Sequence, residues 1–201
     1  DLSLTPDQPV DERLTYYQEK RRGNRAAGTS FGFNNVVETP EPIEYRTQDF
    51  GASAEYSRPW GLLRGAVHYN RFDNAIHTLT FDNPFRATDS TDPSAYLGPS
   101  ANSVGGPSRG RIDLPADNQA VTGSLGFLLR LPANSRLSAD ASAAQWTQDT
   151  RFMPHTINSA ITSPFQADDP STLPERSLDG KINVVSQSYL FTSRPLPALG
   201  F

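Results

Sequence analysis

Three histidines, His68, His77 and His155, are the only neutral-nitrogen ligands the chain offers to a metal or a haem. None stands at a ligating spacing, such as two histidines four apart on a helix, and polarity on a wall or rim accounts for all three. Oxygen donors are more plentiful. The acidic stretches "DNPFRATDSTD" (82–92) and "QADDPSTLPERSLDG" (166–180) include Asp168 and Asp169, hard ligands of the kind Ca²⁺ takes, but neither follows the EF-hand pattern and Asp-Pro pairs are common turn formers. Ser, His and Asp occur without any ordered triad, so the sequence assigns no catalytic residue, no metal site and no enzyme activity. Cysteine is absent. That removes disulfides, thiolate metal sites, a Cys nucleophile and the C-x-x-C-H attachment of a c-type haem, so any haem must belong to another chain. What remains is charge, above all Arg64, Arg130, Arg136 and Asp140, and its meaning depends on the elements that carry it.

Those elements are strands. Helical periodicity is weak throughout, the best window being 12–22, which contains adjacent tyrosines better suited to a strand. From Gln48 the residues Gln48, Phe50, Ala52, Ala54 and Tyr56 share one face, and Asp49, Gly51, Ser53, Glu55 and Ser57 the other. After the corner "RPWG" (58–61), Leu63, Gly65, Val67 and Tyr69 oppose Arg64, His68 and Asn70, with Ala66 a small apolar intruder on the polar side. The alternation returns at 121–131, where Val121, Gly123, Leu125, Phe127, Leu129 and Leu131 oppose Thr122, Ser124, Gly126 and Arg130, Leu128 excepted. It continues at 136–143, with Leu137, Ala139, Ala141 and Ala143 against Arg136, Ser138, Asp140 and Ser142, so these two runs make a hairpin around "PANS". A last strand near 178–192 leaves its faces open, because Ile182 and Val184 compete with Val185, Tyr189 and Phe191.

Between the hairpins lie irregular segments at 82–118 and 150–177, crowded with Pro, Gly, Ser, Asn and Asp. Structureless loops much beyond about 12–15 residues are unusual in a compact soluble domain. Outer-membrane barrels, by contrast, join antiparallel strands by short turns on one side and longer loops on the other. The expected short links are 21–27, 58–61, 132–135 and 193–197, and the longer ones are 36–43, 82–118 and 150–177. The three corners at 58–61, 132–135 and 193–197 then share one rim.

Composition permits this architecture without demanding it: 201 residues, 36% hydrophobic and 20% charged. No run of about 18 apolar residues exists, so a transmembrane helix is excluded while a β-barrel is not. A formal net charge of −4 argues against nucleic acid as a partner. The opening "DLSLTPDQPVDERL" lacks the basic start and apolar core of a signal peptide, and Pro195, Pro197 and Gly200 would spoil a closing strand, so both ends read as cuts within a longer chain.

The segments "FDNPF" (81–85), "LPADNQ" (114–119), "QWTQDTRFMP" (145–154), "LDGK" (178–181) and "SRPLP" (193–197) occur in an order that resembles the MtrB/PioB family. Its members are decahaem-associated outer-membrane proteins of Gram-negative bacteria. The likeness runs from Tyr45 to Leu199 and, less clearly, back to Leu14. It implies a large barrel that sheathes a multihaem c-type cytochrome, so that electrons cross the bacterial outer membrane. Family members are several times longer than this chain, and the cysteine pair near the start of some of them has no counterpart here.

The expectation is therefore an all-β, antiparallel up-and-down transmembrane β-barrel segment, about seven or eight strands of a larger barrel. Residues 1–201 form part of that single domain, with long, outward loops near 82–118 and 150–177. A barrel closed from about eight strands has room only for its own side chains, so a sheath requires the longer chain. The expected lumen-facing residues are Arg64, His68, Asn70, Thr122, Ser124, Arg130, Arg136 and Asp140, and the expected interfacial aromatics are Tyr56, Trp60 and Trp146. No cofactor is bound directly; the partners are the haem-carrying cytochrome and outer-membrane lipid. Two other functions stand beside this one: a porin for small polar solutes and a secreted soluble β-sandwich binding module.

Overall fold

The computed structural model describes residues 1–5, 9–30, 36–84, 86–91 and 107–194. Its strands are β1 (Leu2–Ser3), β2 (Val10–Ser30), β3 (Val36–Arg58), β4 (Gly61–Asn74), β5 (Thr78–Asp82), β6 (Arg109–Asp113), β7 (Asn118–Leu131), β8 (Ser135–Gln148) and β9 (Gly180–Thr192). Among the described residues the only helical element is a 3-10 turn at Pro170–Thr172. Seven strands form one open antiparallel sheet in the order β1-β2-β3-β4-β7-β8-β9, and β5 pairs with β6 as a separate hairpin inside the β4–β7 connection. The meander has no crossover, as an up-and-down barrel requires.

The connections alternate by length. Pro59 and Trp60 alone join β3 to β4, whose pairing closes at Arg58 and Gly61. Three residues, Pro132 to Asn134, join the paired Leu131 and Ser135 of β7 and β8, and Ala133 and Asn134 take left-handed φ of 58° and 51° as the chain reverses, with the Ser135 N–H donating to the Pro132 carbonyl at 3.3 Å. Both turns lie on one rim. On the opposite rim lie the long β4–β7 and β8–β9 connections and the Ser30–Val36 end of the β2–β3 hairpin.

Two expected links are strands instead. Residues 21–27 and 36–43 sit inside β2 and β3, where Arg21 to Ala27 pair with Tyr45 down to Thr39. The apolar alternation stops there, but ion pairs take its place across the ladder: Arg22 with Glu44, and Arg25 with Glu41 at 2.7 Å. Pro40 and Pro42 are tolerated because β4 reaches only to Tyr45, so that among the described residues no strand pairs with that stretch of β3 on its other edge. The link at 193–197 lies mostly outside the described residues.

Pairing also fixes the faces. Phe50, Ala52, Ala54 and Tyr56 stand opposite Tyr69, Val67, Gly65 and Leu63, which stand opposite Val121, Gly123, Leu125 and Phe127. Across β8 the same face continues through Ala143, Ala141 and Ala139 to Val185, Gln187 and Tyr189 of β9. The register of β9 is thereby settled: Val185, Tyr189 and Phe191 join the apolar face, and Ile182, Val184 and Leu190 join the polar one.

Nothing among the described residues packs on the apolar face. Among the described residues the buried hydrophobic ones are Phe81, Leu114 and Ala139, and two of these belong to the β5–β6 region rather than to the large sheet. Val67, Leu125 and Val185 stand 54%, 68% and 71% exposed. A sandwich would bury these side chains against a second sheet about 10 Å away. Among the described residues this single layer has no such partner, so its apolar surface requires a non-aqueous neighbour.

Candidate functional site

The polar face draws together residues far apart in sequence. Arg64 on β4 reaches across β7 to Asp140 on β8, Nη2 to Oδ1 at 2.6 Å. The pair lies flat over Gly126, where a Cβ would fall 2.5 Å from Asp140 Oδ1 and 2.8 Å from Arg64 Nε. Glycine at 126 is thus what lets the ion pair bridge three strands. His68 stands opposite Gly51 on one side and Thr122 on the other, while Asn70 donates from Nδ2 to Asp49 Oδ2 at 3.3 Å. Ser124 sits between Ala66 and Ser142 in mid-sheet.

Arg130 and Arg136 are direct cross-strand partners near the short-turn rim. Like charges in that position repel, so the pair favours an anionic neighbour. Arg130 is held in place by donating from its backbone N–H to the Trp60 carbonyl at 2.8 Å and from Nη1 to the Pro59 carbonyl at 3.3 Å. The eight residues expected on the polar side therefore share a face, with Arg64 and Asp140 in contact and the two remaining arginines adjacent.

Trp146 is placed differently from its expected interfacial position. It lies at even register with Ser142 and Ala144, opposite Ala120 and Ile182, and so on the polar face near the long-connection rim. The physical reason is the two-residue period: a strand that puts Ala141 and Ala143 on the apolar face must turn Trp146 the other way. Trp146, Ile182 and Val184 are 52%, 55% and 44% exposed there. Trp146 and Ile182, with His68, Asn70 and Thr122, border a hollow of about 610 Å³, and Val184 follows Ile182 on the same face of β9, opposite Ala144. Ile182 and Val184 escaped sequence reasoning because β9 is apolar on both faces. Pairing to β8 was the missing signal.

The apolar face has an ordered margin at each end. Toward the long connections, Tyr16, Phe50 and Tyr69 form a row, with centroids 4.6 Å apart for the first pair and 6.3 Å for the second. Their hydroxyls point to amides: Tyr16 donates to Gln18 Oε1 at 2.8 Å, and Tyr69 to Gln119 Oε1 at 3.0 Å. At the other margin Tyr56 and Trp60 lie 6.3 Å apart, with the Arg58 guanidinium 5.0 Å from the Tyr56 ring centre. Gln48 and Arg58 bracket the band on β3. At about 3.3 Å per residue they are roughly 33 Å apart along the strand, and a tilt of about 40° reduces that to about 25 Å, the height of an outer-membrane apolar band.

The long connections hold each other. Asp89 accepts from Ser108 (N 2.8 Å, Oγ 2.7 Å) and from Ser159 (N 2.7 Å, Oγ 2.6 Å). The Ser159 hydroxyl, followed by the Ser108 bonds, holds the Asp89 carboxyl far below the usual aspartate range. Asn158 adds a bond from Nδ2 to the Ser90 carbonyl at 2.7 Å. The two aspartates considered for Ca²⁺ are occupied separately: Asp168 pairs with Arg111 at 2.8 Å, and Asp169 caps the 3-10 turn through Ser171. The Ser171 backbone N–H, then its hydroxyl, lowers the Asp169 pKa. No group of three His, Cys, Asp or Glu side chains with metal-site geometry exists among the described residues. The histidines are dispersed, His68 on β4, His77 just before β5, and His155 edge-on to Phe165 at 4.9 Å.

The family described as "Putative outer membrane beta-barrel porin, MtrB/PioB" matches residues 1–200. The chain belongs to the MtrB/PioB family. No curated protein matches it. Membership gives the exposed apolar face its neighbour, because an MtrB/PioB chain is an outer-membrane β-barrel and the seven-stranded open sheet is a segment of one. A secreted soluble sandwich does not fit this localisation or the single layer.

Proposed function

We propose that this MtrB/PioB barrel sheathes a multihaem c-type cytochrome, which carries electrons across the outer membrane while the barrel insulates and positions it. In this reading the apolar face meets lipid, with Tyr56 and Trp60 at the interface, and the polar face lines the lumen. The supporting observation is the exposed Trp146, Ile182 and Val184 patch on that polar face. A water-filled channel wall gains nothing from a large aromatic beside two branched aliphatic residues, whereas a protein interface uses such a cluster as its anchor. The Arg130–Arg136 pair supplies charge complementarity for an acidic partner surface. With no cysteine in the chain, haem arrives on the partner, and the chain itself is assigned no catalysis and no cofactor.

The test is purification of the full-length protein from its native membrane. The expected result is a stable complex with haem absorbance, the haem staying with a separate polypeptide after denaturation. A second reading, a porin for small polar solutes, is favoured by the hydrogen-bonding lane of Asp49, His68, Asn70 and Thr122 and by the family's description. Purification without any cytochrome, together with an open ion-conducting channel in planar bilayers, would replace the sheath by the porin.

A further inference from the structure

Beyond the Tyr16, Phe50 and Tyr69 row, the ladder keeps the same outer face and changes its chemistry. The next row runs Gln18, Gln48, Arg71, Gln119, Thr147 and Lys181 across six strands, with no carboxylate in it. Gln48 donates from Nε2 to the Tyr16 hydroxyl at 3.2 Å, which seats this row on the aromatic margin. One row further out, Lys20 stands directly across from Arg46. Lys20 and Arg71 thus lie on either side of Arg46, on three successive strands, and all three are exposed. Adjacent strands are about 4.8 Å apart and diagonal neighbours about 7–8 Å, within the span of such long side chains.

Positive charge is in excess at this corner. The carboxylates nearby are Glu44, Asp73 and, just before β7, Asp117. Glu44 is paired with Arg22, Asp73 with Arg71 at 2.8 Å, and Asp117 accepts the Asn74 N–H at 2.6 Å. Asp73 stands across the ladder from Arg46, yet its ion pair is with Arg71. Lys20 and Arg46 have no carboxylate partner among the described residues, and Arg46 Nη2 donates only to the neutral Gln18 Oε1, at 3.3 Å. Like charges directly opposed on a ladder repel, and an anion between them relieves that repulsion.

Depth names the anion. Gln48 marks the edge of the apolar band, and Lys20 and Arg46 lie two residues beyond it, about 7 Å along the strand and about 5 Å in depth. The headgroup layer outside a bilayer's hydrocarbon core is about 5–8 Å thick, so these cations stand at the level of lipid phosphates. The opposite margin of the same face has no equivalent. Its paired residues include a single cation, Arg58, which donates from Nε to the Tyr56 hydroxyl at 2.8 Å.

We propose that Lys20 and Arg46, flanked by Arg71, bind the phosphate of an anionic lipid headgroup in the leaflet on the long-connection side. This rests on the reading that the apolar face meets lipid. The amides of Gln18 and Gln48 supply neutral hydrogen-bond donors beside the cations, and the aromatic row below holds the start of the acyl chains.

The experiment is native mass spectrometry of the full-length protein in detergent micelles, titrated with phosphatidic acid and with phosphatidylcholine of the same acyl chains. Saturable binding of phosphatidic acid is expected, at least ten-fold tighter than that of phosphatidylcholine. The preference should be lost in Lys20→Gln/Arg46→Gln and kept both in the charge-retaining Lys20→Arg/Arg46→Lys and in Arg58→Gln at the other margin. The mobility shift between folded and boiled samples establishes that each variant is assembled. Inorganic phosphate at matched concentration should not displace the lipid; equal displacement would assign the cluster to a dissolved ion and overturn the headgroup site. Unfolding of Leu125→Arg and Ser124→Arg in vesicles tests the lipid-facing side separately. If the two unfold alike, the face reading falls and the proposal with it; if they differ while phosphatidic acid shows no preference, or shows the same preference in Lys20→Gln/Arg46→Gln, the headgroup site alone is overturned.

Discussion

Arginine placed at Leu125 should cripple the barrel, whereas arginine one residue away at Ser124 should not. Leu125 is 68% exposed on the apolar face, level with Gly65 and Ala54 through the β4 and β3 pairings. The band bracketed by Gln48 and Arg58 is centred at residue 53, so Leu125 sits about one residue, ~3 Å along the strand, from its middle. An arginine facing lipid at the midplane costs about 2–4 kcal/mol, which lowers the folded-to-unfolded ratio by about 30- to 1,000-fold. Loss of leucine packing adds little, because the side chain touches few protein neighbours. Ser124, between Ala66 and Ser142, points the opposite way, where a guanidinium meets water or a protein partner. Urea unfolding of the full-length protein in lipid vesicles, read by the mobility shift between folded and boiled samples, gives the two values directly. Val67→Arg and Ala66→Arg should repeat the contrast. Equal destabilisation on both faces would refute the face assignment and with it the barrel reading.

Under the proposed sheath function, Trp146→Ala with Ile182→Ala should leave assembly intact yet weaken retention of the proposed cytochrome by about 10- to 30-fold, the loss of one aromatic anchor, measured by co-purification. Removing the charges of Arg64, Arg130 and Asp140 should also weaken that association and flatten its dependence on salt, since fewer charged contacts remain to be screened. Gly126→Ala should displace the Arg64–Asp140 pair but cost only about 0.2–1 kcal/mol, because both side chains are more than half exposed; a chemical-denaturation midpoint checks this. Asp89 has a depressed pKa, so its contribution to holding the loops is fully present above the ordinary aspartate pKa of about 4 and is lost only as pH falls well below it. Hydrogen exchange at the Ser108 and Ser159 amides should stay slow from pH 7 to about pH 4, and Asp89→Ala should speed it at neutral pH.

Alternation by itself determined the strand class and the faces of β3, β4, β7 and β8, because a two-residue period is a local property that no neighbour can change. The corners were equally local: Pro59 with Trp60 in one turn and "PANS" in the other interrupt the pattern where the ladder reverses. The eight polar-face residues followed from that alternation, while Trp146, placed among the interfacial aromatics, broke the rule that its own strand obeyed. Tertiary pairing decided the rest. Gly23 and Asn24 resemble a turn, yet the ladder with Ile43 and Pro42 runs through them because the stabilising groups, Arg22, Arg25, Glu41 and Glu44, are charges on two strands. The faces of β9 depended on which strand it joined, since Ile182 and Val185 are equally apolar until β8 fixes their register. Arg64 and Asp140, 76 residues apart, and Asp89 and Ser159, 70 apart, meet only because the meander folds their segments side by side. Side-chain periodicity is written into consecutive residues, but hydrogen bonds and ion pairs across such distances exist only once the chain has paid the entropy of bringing those segments together.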